Sequence, residues 1–166
     1  MGDSEGVVEG LCAGPMKGIP TGYSLPKQKI DSSKVTKTGF SGDTNLFRSK
    51  KKKGDPDMAI LLLTIGELDM LKEGGFSFQP GDLGENILLK GIDYNELIPE
   101  KIIKIGSEVV LQVSKICDPC TTLSQLPSIG KTRIKELLRE SMGLRGWYAR
   151  VIQEGNITIG DKVMLS

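Results

Sequence analysis

Cys117 and Cys120 sit three residues apart around Asp118 and Pro119 and are the side chains best equipped for chemistry. What they can do depends on charge. A thiolate is a nucleophile and a soft metal ligand; a thiol is neither. After Cys120 comes a short helix-like run over 121–126, with Thr121 or Thr122 suited to the N-cap. Amide N–H groups and the dipole at such a helix start stabilise a thiolate. Cys120 lies nearer that start than Cys117 does, so it is expected to gain more. Cys117 follows an apolar strand and is expected to be half-buried, where a thiol's pKa rises. The spacing alone leaves several readings open. The pair suits a reactive thiol, or a thioredoxin-like redox motif, although that motif wants a βαβ context and strands precede it here. Zinc would need four ligands, and the chain has three cysteines in all. Two partly buried structural thiols are the plain alternative.

The rest of the composition narrows the chemistry. There is no histidine, which excludes Ser-His-Asp and Cys-His catalysis and histidine-ligated metal within the chain. Any general acid or base must be Asp, Glu, Lys, Tyr or Cys. The net charge of +1 predicts neither a nucleic-acid nor a membrane partner. The longest apolar run, 59–63, is far short of the roughly 20 residues of a membrane span. The first ten residues, MGDSEGVVEG, carry acids and no basic region, so they do not read as a signal peptide. A cytoplasmic protein with free thiols is the expectation.

At 166 residues one domain, 1–166, is expected, with enough chain for a core. The cysteine pair is delivered by the strand EVVLQVSK from 108, where Val109, Leu111 and Val113 share one face at period two. Upstream, 5–13 reads as a strand in which Cys12 packs as a small hydrophobe. A Gly/Pro loop covers 14–23, a second strand 28–35, and a turn 38–43 (TGFSGD). The run RSKKKK, 48–53, holds five basic residues in six. It is expected to be an exposed mobile loop, or a guide for an anionic ligand such as phosphate. A strand over 58–63 leads into a helix over 64–72, where Thr64 and Glu67 have capping-box spacing and Gly74-Gly75 stop the helix. The segment 79–91, QPGDLGENILLKG, is a turn and a strand. A helix over 130–143 carries Ile134, Leu137, Leu138 and Met142 on one face, with Gly143 as its C-cap. Strands over 146–153 and through 155–166 close the chain. Many short strands, glycine turns and two or three helices predict a mainly β, barrel-like fold with flanking helices.

These motifs, in order, resemble the MOSC domain: Gly39-Phe40-Ser41-Gly42-Asp43, then Gly81-Asp82-Leu83-Gly84-Glu85-Asn86-Ile87, Pro119-Cys120 after a strand, Gly146-Trp147-Tyr148-Ala149-Arg150-Val151, and Gly155 through Gly160-Asp161. That domain occurs at the C-terminus of molybdenum cofactor sulfurases and as small bacterial proteins. The resemblance implies a closed β-barrel-like fold with two or three flanking helices. It places the family's signature cysteine, which handles sulfur or ligates molybdenum carried by molybdopterin, on Cys120. Cys120 is then both the catalytic and the metal-binding candidate, with Cys117 as a second catalytic thiol able to act as a resolving partner. Glu85, Asn86, Gly42 and Asp43 would border the cofactor, and the cations Lys115 and Arg145 complete the cofactor-binding candidates. The implied cofactor is molybdenum-molybdopterin. Pyridoxal phosphate enters only through a separate cysteine desulfurase partner, with the cofactor's biosynthetic and target enzymes as further partners. Two departures stand out. Relatives often carry a histidine where this chain reads Thr44-Asn45-Leu46-Phe47, and an arginine or other polar residue near Cys117. A carrier or binding module is the first expectation. A small molybdenum-dependent reductase of N-hydroxylated compounds is the second, and a thiol-disulfide oxidoreductase the third.

Overall fold

The computed structural model describes residues 3–15, 25–43 and 55–166. The basic run 48–53, expected to be exposed and mobile, lies outside them.

Seven strands close into a barrel. Around the ring run β11 (Lys162–Leu165), β7 (Ile102–Ile105), β8 (Val109–Ile116), β9 (Trp147–Gln153), β5 (Ile60–Thr64), β6 (Ile87–Lys90) and β1 (Ser4–Pro15), which pairs back to β11. The twelve-residue β1 serves three partners: β11 near its start, β6 in its middle and β2 (Lys27–Ile30) at its end. A bulge between Val8 and Gly10 bends it from one partner to the next. A smaller sheet stands beside the barrel, in the order β10 (Gly155–Thr158), β3 (Ser32–Thr36), β4 (Gly39–Phe40). Among the described strands, β5 and β6 are the parallel pair. Parallel neighbours need a crossover, and helix α1 (Ile65–Glu73) lies within it.

The strand patterns follow from what each face meets. Val109, Leu111 and Val113 of β8 point into the barrel and are buried, while Val110, Gln112 and Ser114 on the other face are half-buried. On β5, Ile60 and Leu62 enter the barrel core, and Leu63 joins a second apolar cluster outside it. That cluster holds Leu71 of α1, Phe76, Leu83, Leu88, Leu123, Leu126 and Leu137 of helix α2 (Gly130–Glu140). A strand covered on both faces reads as an unbroken apolar run, as 60–63 does.

The mainly β barrel with two helices agrees with the sequence reading, and so does the capping box. Thr64 Oγ1 accepts from Glu67 N, while Glu67 Oε1 accepts from Thr64 N. Several boundaries differ. The strand expected over 28–35 is two strands in different sheets, broken at Asp31. The strand expected from 58 begins at Ile60, because Pro56–Met58 form a single 3-10 turn. Helix α2 stops at Glu140, with Ser141 and not Gly143 at its C-cap. The Ser141 hydroxyl donates to Leu137 O at 2.6 Å, competing with the helical ladder there. Met142 is therefore off the helix and 67% exposed, not on its buried face. The helix-like run after the cysteines is a 3-10 turn, Thr121–Gln125, and its N-cap is Cys120 itself.

Candidate functional site

Strand β8 ends at Ile116 and hands the chain to the cysteine turn. The Cys117 N–H donates to Gly146 O at 2.9 Å, which ties this turn to the start of β9. Gly146 has φ 98°, and a Cβ there would stand 2.3 Å from Leu62 O, so only glycine lets β9 close against β5 at this point. The close approach brings Arg145 and Tyr148 to the cysteines. Arg145, 5% exposed, directs Nη1 to Cys117 Sγ at 3.8 Å, and the Tyr148 phenol lies near the same sulfur. Cys117 is 5% exposed. Burial pushes its thiol up, against the pull of Arg145 and Tyr148. Burial likewise holds the Tyr148 phenol well above its ordinary range, with Cys117 adding to the effect. Cys120 is exposed, and its sulfur lies 2.6 Å from Thr122 Oγ1. The two thiols thus differ sharply in access, and Cys117 is fully buried where half-burial was expected.

Two buried acids, Glu85 and Glu67, feel the charge of Arg145. Glu85 is fully buried and its carboxyl is pushed up to about 7 by desolvation, which the Gly81 N–H, Arg145 and Lys27 offset only in part. Its Oε2 accepts from Gly81 N at 2.8 Å. Glu67 is also raised to about 7 by burial, even though the Thr64 and Gly146 groups hydrogen-bond it and Arg145 lies near. Among the described residues, Glu85 Oε1 and Arg145 Nε have no hydrogen-bond partner. Arg145 also forms no ion pair within 4 Å there. A buried guanidinium without a close anion is costly unless something completes it.

Asp43 and Asn86 form a third group. Asp43 accepts from Gly14 N at 2.7 Å, Lys27 Nζ at 2.9 Å and Asn86 Nδ2 at 2.9 Å. Burial alone would raise its carboxyl, but Lys27 and these donors overcome that and hold it below the usual range. Asn86 also donates to Cys12 O and accepts from Leu61 N at 3.0 Å. The amide hydrogens of Asn86 hold β1 and the Asp43 turn, and its oxygen holds β5. Cys12 is buried and its thiol is pushed up to about 12, chiefly by burial, as an inert packing residue would be.

The structure therefore gathers Cys117 and Glu85 near the buried Arg145 guanidinium, with Cys120 at the exposed end of the cysteine turn. Gly42, Asp43 and Asn86 assemble on the Lys27 side. Lys115 is held elsewhere, by an ion pair from Nζ to Asp55 at 3.0 Å. Sequence reasoning missed Glu67, Lys27 and Tyr148. Glu67 was legible only as a capping residue, and nothing local marks Lys27 or Tyr148. No group of three or more potential metal ligands occurs among the described residues, so a metal here would depend on few protein ligands. Within the same residues no helix is long and apolar enough to cross a membrane.

The MOSC domain matches residues 49–164. A protein of Gibberella moniliformis named "Reductase" is 31% identical over 88 residues, which make up 53% of this chain and 15% of that protein. The chain thus spans only a small part of that curated relative. The YuaD protein of Bacillus subtilis has a similar fold, with a TM-score of 0.80 at 18% identity, covering 99% of this chain and 97% of that one. YiiM from Geobacillus stearothermophilus superposes with a TM-score of 0.67 at 25% identity, covering 98% of this chain and 75% of that one. For YiiM from Escherichia coli the TM-score is 0.60 at 19% identity, covering 100% and 70%.

Proposed function

The chain belongs to the MOSC domain family, and from that premise we propose that it binds the molybdenum cofactor and handles sulfur for it. In this reading Cys120 is the protein's soft ligand, and Arg145 is the cation that answers the cofactor's negative charge. The observation that carries it is a turn that presents an exposed thiol, Cys120, and whose buried Cys117 is met from the start of β9 by the Arg145 guanidinium, which has no ion pair among the described residues. The donor set fits such a group. A soft sulfur suits molybdenum and sulfane sulfur alike. The unpartnered Arg145 Nε–H is a donor awaiting an anionic oxygen, and the unpartnered Glu85 Oε1 is a further polar contact beside it.

When bound, the cofactor supplies a metal centre that can exchange oxygen, sulfur and electrons. The chain's own residues do the rest. Cys120 presents its sulfur at the surface beside the Thr122 hydroxyl. Arg145 places positive charge behind the turn. Glu67 and Glu85, both raised to about 7, keep two full negative charges from opposing an incoming anion. Asp43, Lys27 and Asn86 hold the Gly42 turn in place. Sulfur would come from a pyridoxal-phosphate cysteine desulfurase acting as a separate partner, and the cofactor's biosynthetic and target enzymes are the acceptors.

The test is metal and pterin analysis of the chain purified from a molybdenum-competent host. Wild type is expected to carry both, Cys120→Ser to lose the metal, and Arg145→Met to retain less pterin. Full retention by Cys120→Ser would overturn the assignment. A second reading, a molybdenum-dependent reductase of N-hydroxylated compounds, is favoured by the match to the Gibberella protein named "Reductase". Turnover of such a compound by loaded chain with an added electron donor distinguishes it from a carrier.

A further inference from the structure

We propose that Cys117 is the resolving thiol of Cys120: it displaces sulfide from a persulfide carried on Cys120 and leaves a Cys117–Cys120 disulfide. This deepens the sulfur-handling reading and rests on Cys120 being the thiol that accepts sulfur.

The surroundings of Cys117 carry the argument. Arg145 is buried close to two carboxyls, yet its hydrogen bond goes to a sulfur. The Tyr148 phenol lies near the same sulfur, close enough for each group to bear on the other's acidity. A buried guanidinium N–H directed at a buried sulfur is not what packing requires. Cys12 is just as buried, at 1% exposure, and among the described residues its sulfur receives no hydrogen bond. Donors fixed in advance where negative charge develops are the usual means of lowering a barrier. Here the Arg145 N–H faces the sulfur that must become nucleophilic when it attacks, and that leaves as an anion when the disulfide is later reduced.

The two thiols are also suited to different steps. Cys120 is exposed and takes the incoming sulfur. Cys117 is buried and held protonated, so it does not compete for that sulfur. Both lie in one turn whose ends are fixed, by Cys117 N donating to Gly146 O and Leu123 N donating to Cys120 O. Negative charge on Cys120 acts on both Cys117 and Tyr148, which places the three groups in one electrostatic neighbourhood.

The step balances. Cys117 Sγ attacks Cys120 Sγ, and a bond forms between them. The bond from Cys120 Sγ to the outer sulfur breaks, and that sulfur leaves with the electron pair. It takes up the Cys117 proton and departs as hydrogen sulfide. The sulfane sulfur is reduced, and the two cysteine sulfurs are oxidised to a disulfide. A dithiol reductant then attacks the exposed Cys120 sulfur, expels Cys117 thiolate toward Arg145 and Tyr148, and restores both thiols as it becomes oxidised.

The experiment uses full-length, cofactor-free chain loaded with inorganic polysulfide and followed by intact mass, peptide mapping and sulfide release. Wild type is expected to release stoichiometric sulfide and form the Cys117–Cys120 disulfide, which dithiothreitol reverses. Cys117→Ser and Cys117→Ala are expected to keep the added sulfur on Cys120 and release none. Arg145→Met should form the same disulfide more slowly, by on the order of 10- to 100-fold for a lost hydrogen bond to a charged group, and Tyr148→Phe should slow it by less. Cys12→Ser should match wild type. Near-ultraviolet circular dichroism identifies any variant that has lost its fold, and the two conservative changes at Cys117 with Tyr148→Phe give independent folded probes. A wild type that keeps its persulfide, a disulfide that involves Cys12, or sulfide release by folded Cys117→Ser at the wild-type rate overturns the inference. Those outcomes leave molybdenum retention by Cys120 standing. Conversely, a Cys120→Ser chain that retains the metal overturns the cofactor reading without touching this chemistry.

Discussion

Replacing Asn86 with alanine is expected to cost the fold about 3 kcal/mol, the sum for two buried backbone groups left short of a partner at roughly 1–3 kcal/mol each. The side chain accepts from Leu61 N on β5 at 3.0 Å, donates to Cys12 O on β1 at 3.2 Å and donates to Asp43 Oδ2 at 2.9 Å. Asp43 keeps Gly14 N and Lys27 after the change, so its loss is the smallest of the three. The Leu61 N–H and the Cys12 carbonyl are the groups left exposed to the defect. For a chain of this size the expected drop in Tm is about 6–12 °C. Urea unfolding followed by tryptophan fluorescence, using Trp147, reads the same loss as a lower midpoint at unchanged slope. Asn86→Asp separates hydrogen bonding from shape. It keeps an acceptor for Leu61 N but sets a carboxylate against Cys12 O and Asp43, so its defect should ease as the solution is acidified. A cost below about 1 kcal/mol for Asn86→Ala would refute the view that this amide holds the barrel wall. An Asn86→Asp defect that ignores pH would refute the charge argument.

Other expectations follow from the same contacts. Lys27→Met removes the partner of a pair only 4% and 3% exposed, so it should cost about 3–5 kcal/mol, and adding Asp43→Asn should recover much of that in a thermal melt. Glu67 and Glu85 have folded pKa values raised to about 7 from 4.5, so the folded chain holds their protons more tightly than the unfolded one. Stability should therefore fall as pH rises from about 4.5 to 7, by up to about 1.4 kcal/mol per pH unit for each group, and level off above; Glu85→Gln should flatten the slope, and a profile rising over that range would contradict the assignment. Iodoacetamide should modify Cys120 first in native protein, with Cys12 and Cys117 reacting only after denaturation, because only Cys120 is exposed; comparable native reaction at Cys117 would be inconsistent with its burial.

The sequence by itself determined those features whose cause lies within a few residues. The alternation of Val109, Leu111 and Val113 names the face that enters the barrel. Thr64 and Glu67 write their own capping box, and the apolar run 58–63 announces a strand, which the structure begins at Ile60. The order of glycine turns and the Pro119-Cys120 motif carried the family and its barrel. Boundaries set by longer-range partners were not legible. The residues on both sides of Asp31 look alike, and the chain divides there because β2 finds β1 while β3 finds β10. Met142 fits the apolar stripe of α2 but lies past a helix end decided by Ser141. The electrostatics of the candidate site belong wholly to the tertiary structure. Arg145 meets Cys117 across 28 positions of chain, and Lys27 meets Asp43 only once β1, β2 and the Gly42 turn have packed together. Glu85, Glu67 and Cys117 depart from their ordinary acidities because water has been removed around them. Desolvation depends on everything that surrounds a group, and a side chain's neighbours in sequence are a small part of that.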